Sequence, residues 1–255
     1  MKTLYALSKR KHSTFLRLSV LLFCTLCFAC GKDKNTPKEP AMGYFVKTIQ
    51  LALEEVEMKF EMQYDEQNRL VREDVKLGTD DISLQYEYNS AGQLTKVWWD
   101  DKLYGTFEYE GKLLAKIIVP ANGSDPERTY PVTYTDGIYQ AMDGSIHFTI
   151  DEKQQLLYSE SVKARYTYTN KPGVHRYLSP QPVWFIGDIG SFTFYSLLVS
   201  QQEIAKVDLR GDVHEVRNKR DAQGNITQVD MVEETTGRIG ATWKITYEQK
   251  VLVEK

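Results

Sequence analysis

Residues 87–97 read EYNSAGQLTKV. Tyr86 and Tyr88 stand two apart, the period of a strand with one buried face. Asn89-Ser90-Ala91-Gly92 follows. Asn favours the first position of a turn, because its side chain can bond the backbone two residues on. Gly92 can take φ > 0 at the end, as a type I turn with a G1 bulge requires. The chain then returns from Gln93 to Trp98 as a second strand. The stretch is a β-hairpin.

The same form recurs outward in both directions. Residues 60–75 read FEMQYDEQNRLVREDV, 107–117 FEYEGKLLAKI, 132–142 VTYTDGIYQAM, 148–160 FTIDEKQQLLYSE, 166–174 YTYTNKPGV and 219–229 KRDAQGNITQV. The shared pattern is aromatic-x-aromatic, Asp or Asn, a few polar residues, often Gly, then x-Leu or x-Ile. Asn68 and Gly224 stand where Gly92 does, and Asn tolerates the left-handed region better than most residues. Thr, Tyr, Val and Ile abound, and such residues suit a pleated surface. Repetition at this length marks stacked supersecondary units. Hairpins in series make an antiparallel meander, here of about ten to fourteen strands. A sheet that large curls or closes, because a long open edge invites aggregation. The expected fold is therefore all-β, a strongly curved sheet or an up-and-down barrel.

Residues 171–206 break the pattern. Pro172, Pro180 and Pro182 argue against central strands. Asp188 can cap a short helix over 188–200, with Ile189, Phe192, Tyr195 and Val199 at helical spacing. The segment is read as a short helix or irregular insert that plugs one end of the curved sheet or covers one face.

The first thirty residues belong to export. Lys2, Lys9, Arg10, Lys11 and Arg17 form a basic region with no acidic residue, and Leu18 to Phe28 is an apolar run. A spanning helix needs about 20 apolar residues, so this run is too short. It ends Leu26-Cys27-Phe28-Ala29-Cys30, which resembles a bacterial lipobox, with Cys27 where Leu is usual. That resemblance implies cleavage before Cys30 and a lipid on its thiol; the plain alternative is a secretory signal cut near Ala29. More than one acyl chain would make the anchor stable. Cys24, Cys27 and Cys30 are the three cysteines, all in this leader, so no disulfide framework is expected. Residues 31–43, GKDKNTPKEPAMG, read as a tether. Lys32-Asp33-Lys34 also resembles the export signals of Bacteroidetes surface lipoproteins. The expected division is a signal peptide at 1–29, the lipidated Cys and tether at 30–43, and one β-repeat domain at 44–255.

Loss of the leader lowers Lys plus Arg from 32 to 27 while Asp plus Glu stays at 35, a net charge of −8. Nucleic acid, which needs a basic face, is not an expected partner.

The units YDEQNRL and YNSAGQLTKV are similar to the YD or RHS repeats of large secreted bacterial proteins. With the lipobox, the tether, about seven hairpins and the Pro- and Trp-bearing segment, the chain resembles a family of Bacteroidetes lipoproteins of unknown function with a porin-like fold. The resemblance spans about residues 44–250. It implies a barrel-like antiparallel sheet and an outer-membrane lipid anchor, and it supplies no catalytic residue. A spanning barrel is not expected: the strands are short, the anchor is already present, and the hydrophobic fraction is an ordinary 42%.

Candidate chemistry is sparse. His147, His175 and His214 lie far apart with no metal-ligand spacing, so neither a metal nor another cofactor is expected. His147 should face away from Ile146, Phe148 and Ile150. Adjacent carboxylates (Asp65 and Glu66, Glu73 and Asp74, Asp80 and Asp81, Asp100 and Asp101, Glu233 and Glu234) could serve glycoside hydrolysis, but turn chemistry explains most of them. Arg210-Gly211-Asp212 reads as a turn. Trp98 and Trp99 are consecutive, so one faces in and the other out. With Tyr104 they are the candidate ligand-stacking residues, against the plainer reading that both are buried. Trp184 and Trp243 read as core. The expected function is a non-catalytic outer-membrane lipoprotein that binds a glycan, a peptide or an envelope protein. The alternatives are an envelope scaffold without a ligand and, remotely, a hydrolase.

Overall fold

The computed structural model describes residues 40–53, 56–186 and 200–253. The leader with Cys30, and all of the helix expected over 188–200 save Ser200, lie outside them. Residues Ala41–Lys255 form one compact unit. Its strands are β1 (Met42–Leu53), β2 (Val56–Tyr64), β3 (Leu70–Leu77), β4 (Asp80–Tyr88), β5 (Leu94–Trp99), β6 (Lys102–Glu110), β7 (Leu113–Val119), β8 (Arg128–Pro131), β9 (Thr133–Thr135), β10 (Ile138–Ala141), β11 (Ile146–Ile150), β12 (Leu156–Ser159), β13 (Ala164–Pro172), β14 (Gln202–Leu209), β15 (Asp212–Arg220), β16 (Ile226–Glu233) and β17 (Ile239–Val251). Two short 3-10 turns, Met142–Gly144 and Pro182–Phe185, are the helical elements among the described residues.

All pairings are antiparallel, and the meander nearly closes on itself. β1 pairs with β2 on one side and with β17 on the other, from Met42 opposite Val251 to Ala52 opposite Thr242. Around the other side, β8 pairs with β7 and β9 pairs with β10. β8 and β9 are one bent segment hinged at Val132, whose N–H donates to the Ala115 carbonyl. Pro131 sits at the bend, where its missing donor costs least. Among the described residues the sheet has seventeen strands, more than the ten to fourteen expected. Strands such as β1 and β14 lack the aromatic-x-aromatic signature, so a count of repeats misses them.

Four of the repeat turns share one construction. Asp65, Asn89, Asp151 and Asp221 each accept through Oδ1 from the backbone N–H groups two and four residues on. Asn68, Gly92, Gln154 and Gly224 close those turns at positive φ. Each turn is followed by a deeply buried Leu70, Leu94, Leu156 or Ile226. The next residue (Val71, Thr95, Leu157, Thr227) is an extra one in the ladder, a bulge. Ala115 plays the same part after Leu114 in the hairpin of β6 and β7.

The second aromatic of the repeat has its own task. The hydroxyls of Tyr64, Tyr88, Tyr109, Tyr168 and Tyr247 donate to the carbonyls of Val46, Leu70, Leu94, Leu156 and Ile226. Each carbonyl lies just past the last ladder pair between the two strands. The ladder of β3 and β4, for example, ends at Arg72 opposite Gln85, and Tyr88 then satisfies Leu70. These tyrosines clasp the strands where they splay, supplying a partner to a backbone acceptor that the sheet no longer reaches. Burial pushes all five hydroxyls above the usual tyrosine range, so they stay donors.

Because the strands alternate in direction, these turns, the clasps, the start of β1 and the end of β17 share one end of the barrel, the clasped end. The repeat at 166–174 departs from expectation. Tyr168 clasps Leu156, but no turn follows. β13 runs on to Pro172, and residues 173–186 enter the barrel as a plug. Gly173 marks the entry: a Cβ there would meet the Ser200 and Gln202 carbonyls at 2.5 Å. Val174, Leu178, Val183, Phe185 and Ile186 join one continuous core with the inward faces of the strands. The plug reaches opposite walls. Tyr177 packs on Phe45, and Phe185 packs edge-on against Phe148. Gln181 accepts the Leu94 N–H and donates to the Gly92 carbonyl. A barrel of this strand number leaves a channel unless something fills it; here the plug and the inward side chains do. The outer face is polar, with ion pairs between Glu87 and Lys96, Glu108 and Lys116, and Lys206 and Glu234.

Candidate ligand-binding site

The bulge at Thr95 decides which tryptophan faces inward. Leu94 points into the barrel, and strict alternation would then send Trp98 in. The extra residue reverses the phase, so Val97 and Trp99 face inward and Lys96 and Trp98 outward. Trp98 lies half-buried on the outer wall. Its Nε1–H donates to Glu87 Oε1 at 2.7 Å, and the Lys96 ammonium sits 5.8 Å from its ring. Trp99 is half-buried at the inner rim. Its ring centroid lies 6.0 Å from that of Tyr104, the planes tilted by 33°. The structure therefore brings Trp99 and Tyr104 together and sets Trp98 apart.

Trp99 and Tyr104 border a cavity of about 1000 Å³ at the end opposite the clasped one. The ends of β5 and β7, the starts of β6, β8 and β11 and the Met142 turn enclose it. Phe107, Ile117, Ile146 and the plug's Ile186 form its floor, all nearly inaccessible. Tyr130 adds a third ring to the wall, and Lys102, Asn122, Asp125 and Arg128 stand exposed around the mouth. The volume is at the upper end for a small-molecule site, and an apolar lining with few polar groups is typical of one. Sequence reasoning reached Trp99 and Tyr104 but not the floor, whose residues come from strands far apart in the chain.

The other candidates sit elsewhere. His147 faces away from the core, as alternation requires, edge-on to Tyr158. His175 is buried in the plug, and burial pulls its imidazole down to about 3, so it stays neutral. Trp243 is core, and Trp184 is half-buried against it. Arg210 and Gly211 both take positive φ in the turn joining β14 and β15, which is ordinary hairpin chemistry. Glu73 and Asp74 lie on β3 with opposite orientations. The bulge at Val71 turns Glu73 inward, where it is fully buried. Tyr86 donates to its Oε2 at 3.1 Å, and Oε1 has no partner among the described residues. Burial, opposed by the Tyr86 bond and helped by Asp74, raises its carboxyl to about 8.

The architecture defines a class: a plugged, nearly closed antiparallel barrel with a porin-like fold, apolar inside and polar outside. The crystal structure of a porin-like protein from Bacteroides uniformis ATCC 8492 is similar, with a TM-score of 0.51 at 15% identity over 80% of this chain and 98% of that one. A porin-like protein from Bacteroides vulgatus ATCC 8482 aligns at a TM-score of 0.42 and 8% identity, over 81% of this chain and 99% of that one. No family model and no curated protein matches the chain. At these identities the likeness concerns the fold.

Proposed function

We propose that this chain is a non-catalytic, lipid-anchored outer-membrane protein that binds an envelope ligand, a glycan, a peptide or a partner protein, at the cavity bordered by Trp99 and Tyr104. That cavity is the observation that carries the reading. It joins an aromatic rim to an apolar floor at one end of a barrel with a continuous core. The anchor is assigned to Cys30 on the lipobox. The outer wall supports anchoring over spanning: a lipid-facing barrel wall is apolar, and a Lys or Arg at its midplane costs about 2–4 kcal/mol. Here Lys96, Lys116 and Lys206 stand on that wall with their carboxylate partners. Asp125 is the sole carboxylate among the cavity's described lining, whereas glycoside hydrolysis uses two, which supports the non-catalytic reading. The packed lumen favours a second reading, an envelope scaffold.

Metabolic labelling with a palmitate analogue tests the anchor. Label is expected on the native chain and absent from Cys30→Ala; label retained in the variant refutes it. The chain without its leader should stay in the aqueous phase of a detergent partition. Glycan arrays and pull-downs from outer-membrane extracts, with Trp99→Ala as control, test the site. Binding lost in the variant supports the binding role, and empty screens favour the scaffold.

A further inference from the structure

The cavity's two zones differ in what they can recognise. Phe107, Ile117, Ile146 and Ile186 present no side-chain donor or acceptor. A sugar ring seated on them would bury hydroxyls without partners, which opposes binding. An aliphatic chain has no such cost and gains with each buried methylene. The mouth is different. Lys102 and Arg128 stand exposed there, opposed by Asp125 alone among the lining carboxylates. Arg128 lies 3.8 Å from Asp125, both well exposed, and such a pair is weak enough to be displaced. Lys102 has no ion-pair partner among the described residues. Counted over the lining residues alone, the mouth thus carries an excess of one positive charge; Asp100, Asp101 and Glu127, next to Lys102 and Arg128 in the chain, are exposed but do not line the cavity.

Building on the binding role proposed above, we propose that the cavity takes an anionic amphiphile: an aliphatic chain on the apolar floor, its acidic head at Lys102 and Arg128, with Trp99 and Tyr104 flanking the entry. A carboxylate head or a phosphate head would satisfy the same two cations.

The test uses the leaderless chain, followed by isothermal titration and by Trp fluorescence. The probes are n-alkyl carboxylates of ten to sixteen carbons and dodecyl phosphate. Dodecyltrimethylammonium, dodecyl maltoside and a linear hexasaccharide are the comparisons, with every amphiphile below its micelle threshold. Saturable one-to-one binding of the carboxylates is expected, tightening about three- to fourfold per added methylene until the floor is covered. The relative affinities of dodecanoate and dodecyl phosphate distinguish the two head groups. The double variant Lys102→Gln with Arg128→Gln should weaken anionic probes at least about tenfold and remove the preference over the cationic probe. Val119→Trp, which fills the cavity, should abolish binding; Ala121→Trp at the exposed rim repeats the test should Val119→Trp fail to fold. Equal binding of anionic, neutral and cationic chains would overturn the proposal. So would hexasaccharide binding that depends on Trp99 while alkyl carboxylates fail, an outcome that leaves the binding role intact. Silence from every probe, unchanged in Val119→Trp, would overturn both.

Discussion

Single residues carry two measurable tensions. Gln154 holds φ 62° in a turn whose counterparts are Asn68, Gly92 and Gly224. A side chain in the left-handed region costs about 1–2 kcal/mol, part of which glycine returns through unfolded-state entropy. Gln154→Gly should therefore stabilise by about 0.5–1 kcal/mol, read as a higher urea midpoint with an unchanged slope. Glu73 is the opposite case, a polar group where the core wants none. Its folded carboxyl titrates near 8 and its ordinary value is 4.5. Below pH 4.5 both states hold the proton and there is no penalty. Between 4.5 and 8 the unfolded chain releases it while the folded one keeps it, so stability falls with rising pH, by up to about 1.4 kcal/mol per unit. Above 8 the loss levels off. Glu73→Gln should flatten that part of the profile and be the more stable protein at pH 8. Parallel stability profiles for the two proteins between pH 5 and 8 would contradict this.

At the scale of the element, the hairpin is both the most legible feature and the place where reading stops. The Asp or Asn, the positive-φ residue and the buried Leu can all be read from 87–97, because each answers a local backbone need. The bulge one residue later cannot, since nothing in Val71, Thr95 or Thr227 announces an extra residue. Yet that bulge reverses the alternation, and so decides that Glu73 and Trp99 face inward. The clasp was half legible: the second aromatic at 64, 88, 109 and 168 is always Tyr, never Phe, but the carbonyl it serves lies on the neighbouring strand. Tyr88→Phe removes one bond to the Leu70 carbonyl and leaves the ring in place. The expected loss is about 1 kcal/mol by urea denaturation. Tyr168→Phe, remote from it, should add independently. A negligible loss in both would mean water satisfies those carbonyls. The plug entry is stricter. Gly173→Ala would press a methyl against two carbonyls of the returning chain, costing about 1–3 kcal/mol.

For the whole molecule, the repeats foretold a curved meander but not how it closes, because closure joins residues at opposite ends of the chain. β1 meets β17, and the Leu252 N–H donates to the Ala41 carbonyl at 2.7 Å, so the two ends of the sheet lie side by side at the clasped end. The opposite closure, through the bent pair β8 and β9, is thinner: β8 is laddered on one edge to β7, and its other edge borders the cavity mouth. Residues 121–127 ahead of it are exposed and do not belong to the core. This asymmetry makes a circular permutant informative. A short linker from Val253 to Ala41 would preserve the junction of β1 and β17, and new termini could be opened at either kind of site. Opening at Gly123 cuts no clasp and no plug contact, so the permutant should fold with a melting midpoint within about 4 °C of the parent. Opening between Ala91 and Gly92 severs the Asn89 turn and frees the carbonyl that Gln181 binds, although the strands remain. With about 2–3 kcal/mol of local bonding lost, that permutant should melt about 5–10 °C lower. Equal melting of the two would mean that the clasped end does not hold the barrel, and that the continuous core, independent of the repeat turns, suffices to close it.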